Sequence, residues 1–427
     1  MLRLSFALCA GLAAAGFALA TPARADETCQ SPYLPRLTGQ EDFVYVWTLG
    51  IEGLGDGSDK LVSVGANPAR PDYGKVVSSV SVGGRHEAHH AGFTDDRRQL
   101  WAGGLDDSRI FVFDVHADPA RPKLVRTIDD FVAKSGGVVG PHTFYALPGR
   151  MLITGLSNAK DWGGRTALVE YSNEGEFIRT LWLPEGAEYG YDVRVKPELN
   201  RMLTSSFTGH ANYMRRLSEL MGDAEAMKKF GNTMVVWDFH ARKPLQPLAV
   251  PGAPLEIRWA LRPEHDYAFT STALTSKLWG IFRKADGSFE AVEIGDVGDP
   301  AKIPLPVDIS LSADDSTLFV DSFMDGMVRV YDVTNPRKAR QIHEQKIGAQ
   351  VNMVSQSWDG KRLYFTSSLL ANWDGTGHAD EQFLKAFRWD GKTLEPAFAL
   401  DFTREKLGRP HIMNLGADLF RVARRTP

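Results

Sequence analysis

Residues 328–347 read VRVYDVTNPRKARQIHEQKI: an alternating apolar strand, a turn at Asn335-Pro336, and a second strand. Alternation with a period of two, bounded by turn residues, is the signature of a β-hairpin. The same grammar recurs at residues 61–82 (LVSVGANPARPDYGKVVSSVSV), 110–128 (IFVFDVHADPARPKLVRTI), 167–183, 234–250, 278–294 and 384–400, seven hairpins in all. Between them lie further combinations of polar turn and apolar strand, such as LSADDSTLFV at 311–320 and SWDGKRLYF at 357–365. Two hairpins per unit, repeated roughly every 45–60 residues, describe four-stranded blades set around an axis. The expected fold is therefore all-β, a seven-bladed β-propeller with a short helical insertion. Two β-sandwiches would also supply many short strands, but they rarely keep one hairpin grammar along a whole chain. The helical pattern falls at 214–230 (MRRLSELMGDAEAMKKF), and reads as an insertion lying against the propeller.

The chain opens MLRLSFALCAGLAAAGFALATPARADE, with Arg3 before an apolar run and an Ala23-Arg24-Ala25 exit. That layout predicts a secretory signal at residues 1–25, cleaved after Ala25, and a periplasmic protein forming a single propeller domain over 26–427. The apolar run is short for a membrane span. Beyond residue 25 the chain carries 47 basic and 53 acidic residues, with no basic block that would suit nucleic acid or anionic lipid. Only Cys29 remains there, so an intramolecular disulfide is excluded and core packing must stabilise the fold.

A propeller places ligands at the mouth of its central channel, and a metal site there draws ligands from distant parts of the sequence. The histidines in Gly- or Pro-flanked segments between blades meet that description: His89 and His90 in EAHHAGF, His142 in GPHTFYAL, and His411 in GRPHIMNLG. Neighbours on a regular strand point to opposite sides, so His89 and His90 share a metal only if the backbone is irregular; Gly92 makes a bend plausible. Alone, RHEAHHAGF reads more readily as a hydrogen-bonded polar turn than as a ligand set. If the four histidines converge, imidazole ligation favours copper or zinc, with Glu87 as a candidate to orient a ring. His116, His240, His265 and His343 read as solvated loop residues, and His210 and His378 as residues near a channel entrance. Glu256 and Arg258 in PLEIRW share a strand face, either as a structural ion pair or as substrate contacts. GYD sets Tyr191 and Asp192 before a strand. There is no GxSxG, HExxH, phosphate loop or CxxC.

EAHHAGF, PHTFYALPGRMLITGLSN, GYDVRVKPELNRMLTSS, LEIRW, PVDISLSADDSTLFV, SQSWDGKRLYFTSSLLANWD and LGRPH occur in the order and spacing of the selenium-binding protein family, which the chain resembles from about residue 61 to 411. The resemblance implies a β-propeller and a copper-dependent methanethiol oxidase, converting methanethiol, oxygen and water to formaldehyde, hydrogen sulfide and hydrogen peroxide. By position, His89, His90, His142 and His411 match the family's expected metal ligands. Copper would be the cofactor and a small thiol and oxygen the substrates; neither nucleic acid nor membrane is an expected partner, and a homo-oligomer is left open.

Three departures mark a divergent member. Gly74 in PDYGKVV stands where relatives offer a cysteine for selenium. The HTxHC segment reads His142-Thr143-Phe144-Tyr145-Ala146, and the C-terminal ending is NLGADLFRVARRTP. Tyr145 is thus a candidate proton or electron donor or a core aromatic, and with Glu256 and Arg258 completes the candidate catalytic set. The alternative class is a non-catalytic exported propeller that binds a metal or a protein partner. A lactonase would need a carboxylate- and Asn-lined calcium site, against which the histidine-rich set speaks.

Overall fold

The computed structural model describes residues 27, 30–375 and 380–417. The expected leader, His378, Cys29 and the divergent C-terminal ending from residue 418 onward lie outside them. Among the described residues, twenty-eight strands form seven four-stranded antiparallel sheets. All seven outer hairpins anticipated from the sequence are the third and fourth strands of these blades, for example Met327–Asp332 with Arg340–Lys346.

Blade 1 joins the two chain ends. Its innermost strand is Arg409–Gly416, hydrogen-bonded to Phe43–Leu49, and then come Lys60–Gly65 and Val76–Ser81. Glu27 reinforces that closure from a fully buried position: its carboxylate accepts from Arg97 in blade 2 (2.5 Å), Trp358 in blade 7 (3.0 Å) and the Leu415 backbone in blade 1 (2.9 Å). Blades 2 to 7 follow in chain order, with innermost strands Ala88–Phe93, Val138–Leu147, Gly190–Lys196, Pro254–Trp259, Pro306–Leu311 and Met353–Gln356.

Each blade packs both faces on its neighbours, so the inner strands are buried throughout while the outermost alternate with solvent. Separate apolar cores fill these interfaces. One such core holds Trp101, Val112, Phe144 and Ile153 between blades 2 and 3, and another holds Leu203, Val236, Ile257 and Ile281 between blades 4 and 5. Burial of such side chains contributes about 1.5–3 kcal/mol each.

The helical insertion breaks into three single-turn helices, His210–Tyr213, Leu217–Met221 and Ala224–Met227, rather than one helix over 214–230. Asp223 explains one break: its side chain caps the last helix by accepting from the Glu225 and Ala226 amides. The insertion leaves blade 4 at the end of Arg201–Ser206, the end at which the innermost strands begin. It meets the loop after blade 7's Arg362–Thr366 there: Asn372 donates to the Met214 carbonyl (2.8 Å) and Trp373 Nε1 to the Arg215 carbonyl (3.1 Å). Together they cover that mouth of the channel.

Candidate functional site

One backbone device recurs at that mouth. In blade 2, pairing jumps from Ala88 opposite Gly104 to Ala91 opposite Ala102, so three steps on the innermost strand face two on its partner. The extra residue is a β-bulge, which re-aims the side chains it carries. It lets His89 and His90 turn toward one centre despite being adjacent, as their sharing of a ligand requires. Equivalent jumps occur in blades 3, 4, 5 and 6, bracketing His142-Thr143, Tyr191-Asp192, Leu255-Glu256 and Val307-Asp308. In blade 1 the irregularity falls at His411, between Ile412 opposite Trp47 and Pro410 opposite Thr48.

The bulges sort their residues into two layers. His89, Tyr191, Leu255 and Val307, each first in its pair, line an apolar chamber. The second members, His90, Asp192, Glu256 and Asp308, are fully buried; the three carboxyls meet the buried guanidiniums of Arg194 and Arg258, and His90 lies beside Glu256.

The four histidines named from the sequence come together. Ring centroids are 3.7 Å apart for His89 and His411, 3.9 Å for His90 and His142, and 5.0 Å for His89 and His90. Ligating atoms of His89, His90 and His411 all lie within 4.8 Å of one another, and His142 stands beside them. Three rings keep a buried nitrogen without a hydrogen-bond partner, and two of these are anchored through the other nitrogen. His89 Nδ1 is one such bare atom. His142 Nδ1 lies 3.3 Å from the Thr143 hydroxyl and His411 Nδ1 3.1 Å from the Asn352 amide, leaving both Nε2 atoms bare. A side-chain amide presents either its oxygen or its nitrogen. With its oxygen toward Nδ1–H, Asn352 fixes the tautomer that keeps His411 Nε2 available.

Burial holds all four imidazoles neutral. His142 and His411 are pushed down to about 3, and His89 and His90 well below the usual histidine range with further contributions from the neighbouring rings. Neutral rings with bare, inward nitrogens are what a metal ion requires of histidine ligands.

Beneath the histidines, Glu256 is the ionised carboxylate that faces them. Glu256 accepts from Arg194 (2.8 Å) and Arg258 (2.9 Å), and Arg258 also reaches Asp308 (2.9 Å). Burial alone would raise the Glu256 carboxyl, but the two guanidiniums outweigh it and hold Glu256 below the usual range. Asp192, Asp308 and Asp321 are pushed up by burial. Four carboxyls thus share two guanidiniums. Glu256 Oε1 makes no hydrogen bond and lies 3.9 Å from His90 Nε2.

The chamber is closed from outside by Phe207 and Tyr213 of the insertion and by Leu370 and Trp373 of the blade 7 loop. The space left among its side chains is about that of one water-sized molecule.

Other residues fall elsewhere. Tyr145 is a core aromatic between blades 3 and 4; its hydroxyl accepts from the Val195 amide (3.2 Å), and the Arg194 guanidinium lies 5.5 Å from its ring. Arg258 is one step removed from the histidines, behind Glu256. Glu87 orients none of the four rings: its carboxylate, raised to about 8 by burial, accepts from the Ala371 amide (2.8 Å) and so anchors the blade 7 loop. His86 pairs with Asp107 (2.7 Å). His265, read as a solvated residue, is half-buried against Asp315 (2.7 Å). Tyr213, Asn352, Arg194 and Asp308 were not singled out from sequence, although a signal for the bulges exists: Gly or Pro immediately precedes His142-Thr143, Tyr191-Asp192, Leu255-Glu256, Val307-Asp308 and His411.

Residues 23–415 match the family model described as 56 kDa selenium binding protein (SBP56). A methanethiol oxidase of Ruegeria pomeroyi is 58% identical over 95% of this chain and 97% of its own, and one of a Hyphomicrobium species is 55% identical over 95% and 93%. The crystal structure of a hypothetical selenium-binding protein from Sulfolobus tokodaii superposes with a TM-score of 0.80 at 24% identity, covering 90% of this chain and 97% of that one.

Proposed function

Since this chain belongs to the 56 kDa selenium-binding protein family and is an oxidoreductase, we propose that it oxidises small thiols, converting methanethiol, oxygen and water to formaldehyde, hydrogen sulfide and hydrogen peroxide. The observation that carries this reading is the juxtaposition of a histidine cluster with a closed apolar chamber of very small capacity, sharing His89 as a wall.

His89, His90 and His411, with His142 beside them, would hold copper, which would supply the electron transfer between thiol and oxygen and suits a thiolate sulfur. The chain's own residues do the rest. Leu255, Val307 and the covering aromatics exclude water and receive the methyl group. Thr143 and Asn352 fix the His142 and His411 rings, and Glu256 holds a negative charge against the cluster. The methyl carbon and sulfur together give up two electrons and two hydrogens, which oxygen takes as hydrogen peroxide. Water then supplies the formaldehyde oxygen while sulfur leaves as hydrogen sulfide. Export to the periplasm through residues 1–25 is part of the same proposal, as is a single domain over 26–427.

Oxygen consumption by the copper-loaded protein on methanethiol tests it, with formaldehyde, sulfide and peroxide formed in equal amounts. Bound copper without oxygen consumption would leave a binding protein and remove the oxidase.

A further inference from the structure

Tyr213 ends the first short helix of the insertion and lines the chamber that His89 also lines. It is 1% exposed, and its hydroxyl is buried with no hydrogen-bond partner. Other polar groups at this mouth are spent inside the protein: Trp373 Nε1 on the Arg215 carbonyl, and the Asn212 side chain on Thr208 and the Ala226 carbonyl. The backbone makes room for the phenol. Gly140, two residues before His142, sits beneath it in a left-handed conformation (φ 66°), and a Cβ there would lie 2.7 Å from the Tyr213 oxygen. Burial raises the phenol well above its ordinary range, so it stays a donor at any working pH.

A buried hydroxyl left without a partner is costly, and apolar pockets that keep one use it to recognise a polar atom of the ligand. Here the ligand's polar atom is sulfur and the rest of the pocket suits its methyl group. We propose that the Tyr213 hydroxyl donates a hydrogen bond to the sulfur of the bound thiol, making Tyr213 a substrate-binding residue. This rests on the thiol-oxidase reading above. It also gives the insertion a role: it brings a second phenol to the chamber, beside Tyr191 of the blade 4 bulge.

Tyr213→Phe removes only the hydroxyl. Anaerobic calorimetric titration with methanethiol and steady-state oxygen uptake, on copper-loaded wild type and variant, should show roughly ten- to hundred-fold weaker binding and a matching fall in kcat/KM. Copper content should be unchanged and Tm equal or higher, because an unsatisfied group has been removed. Affinity and kcat/KM within about two-fold of wild type, a lowered Tm, or lost copper would overturn the assignment. A wild type that binds methanethiol without oxidising it sinks the oxidase reading while the binding comparison still decides Tyr213; one that neither binds nor oxidises it overturns both.

Discussion

Leu156→Ala should widen substrate choice. Leu156 is 1% exposed, sits on the second strand of blade 3 and lines the chamber, so truncation removes three carbons from its wall. Ethanethiol exceeds methanethiol by one methylene. Burying that methylene gains about 0.8 kcal/mol where space exists, but forcing it into a packed site costs about 1–3 kcal/mol. With a chamber this full, the wild type should prefer methanethiol by about 0.2–2.2 kcal/mol, roughly 1.5- to 40-fold in kcat/KM. Once the wall is cut back only the gain remains, and ethanethiol should be favoured about four-fold. The assay is oxygen uptake on methanethiol, ethanethiol and 1-propanethiol. Core Leu→Ala truncation costs about 2–5 kcal/mol of stability, so a fall in Tm confirms that the cavity formed. An unchanged ethanethiol-to-methanethiol ratio with that fall in Tm would refute the chamber as the thiol site.

His142→Ala should lower copper affinity at least ten-fold, whereas His240→Ala, at an exposed hairpin turn, should leave it unchanged; metal analysis after dialysis distinguishes them. In metal-free protein, His142 is held near 3 when folded, so the unfolded chain binds the extra proton below about pH 6.5. Wild type should therefore lose stability relative to His142→Asn as pH falls from 6.5 toward 3, by up to about 1.4 kcal/mol per pH unit, with little change above pH 7.5; parallel urea melts would show it. Gly140→Ala should lower Tm, since φ 66° alone costs a non-glycine residue about 1–2 kcal/mol and the new methyl would press on the Tyr213 hydroxyl; an unchanged Tm would contradict that packing.

The legibility of the sequence follows from where each strand sits. Outer hairpins such as residues 328–347 face solvent at their tips and carry Asn-Pro or Asp-Gly turns, so their alternation is readable. The innermost strands border a polar channel and carry bulges, so GPHTF and GYDVR alternate poorly although they form the site. His89 and His90 illustrate the difference. Their types and spacing raised the question of a shared ligand, but only the register jump between Ala88 and Ala91 resolves it. Glu87 misled because proximity in sequence is not proximity in space: at φ 61° its backbone turns away, and its carboxylate serves Ala371. Tyr213 could not be placed from the sequence. The insertion's helical pattern says nothing about which blade it folds over, and its contact with Trp373 joins residues more than 150 positions apart.

The most direct test of the account is the electron paramagnetic resonance spectrum of the copper(II)-loaded protein before and after anaerobic addition of methanethiol. The account predicts about one copper per chain, nitrogen hyperfine structure from the imidazoles of His89, His90 and His411, and loss of the signal as the thiol reduces the metal. A copper signal without nitrogen couplings, or one that methanethiol leaves untouched, would contradict it.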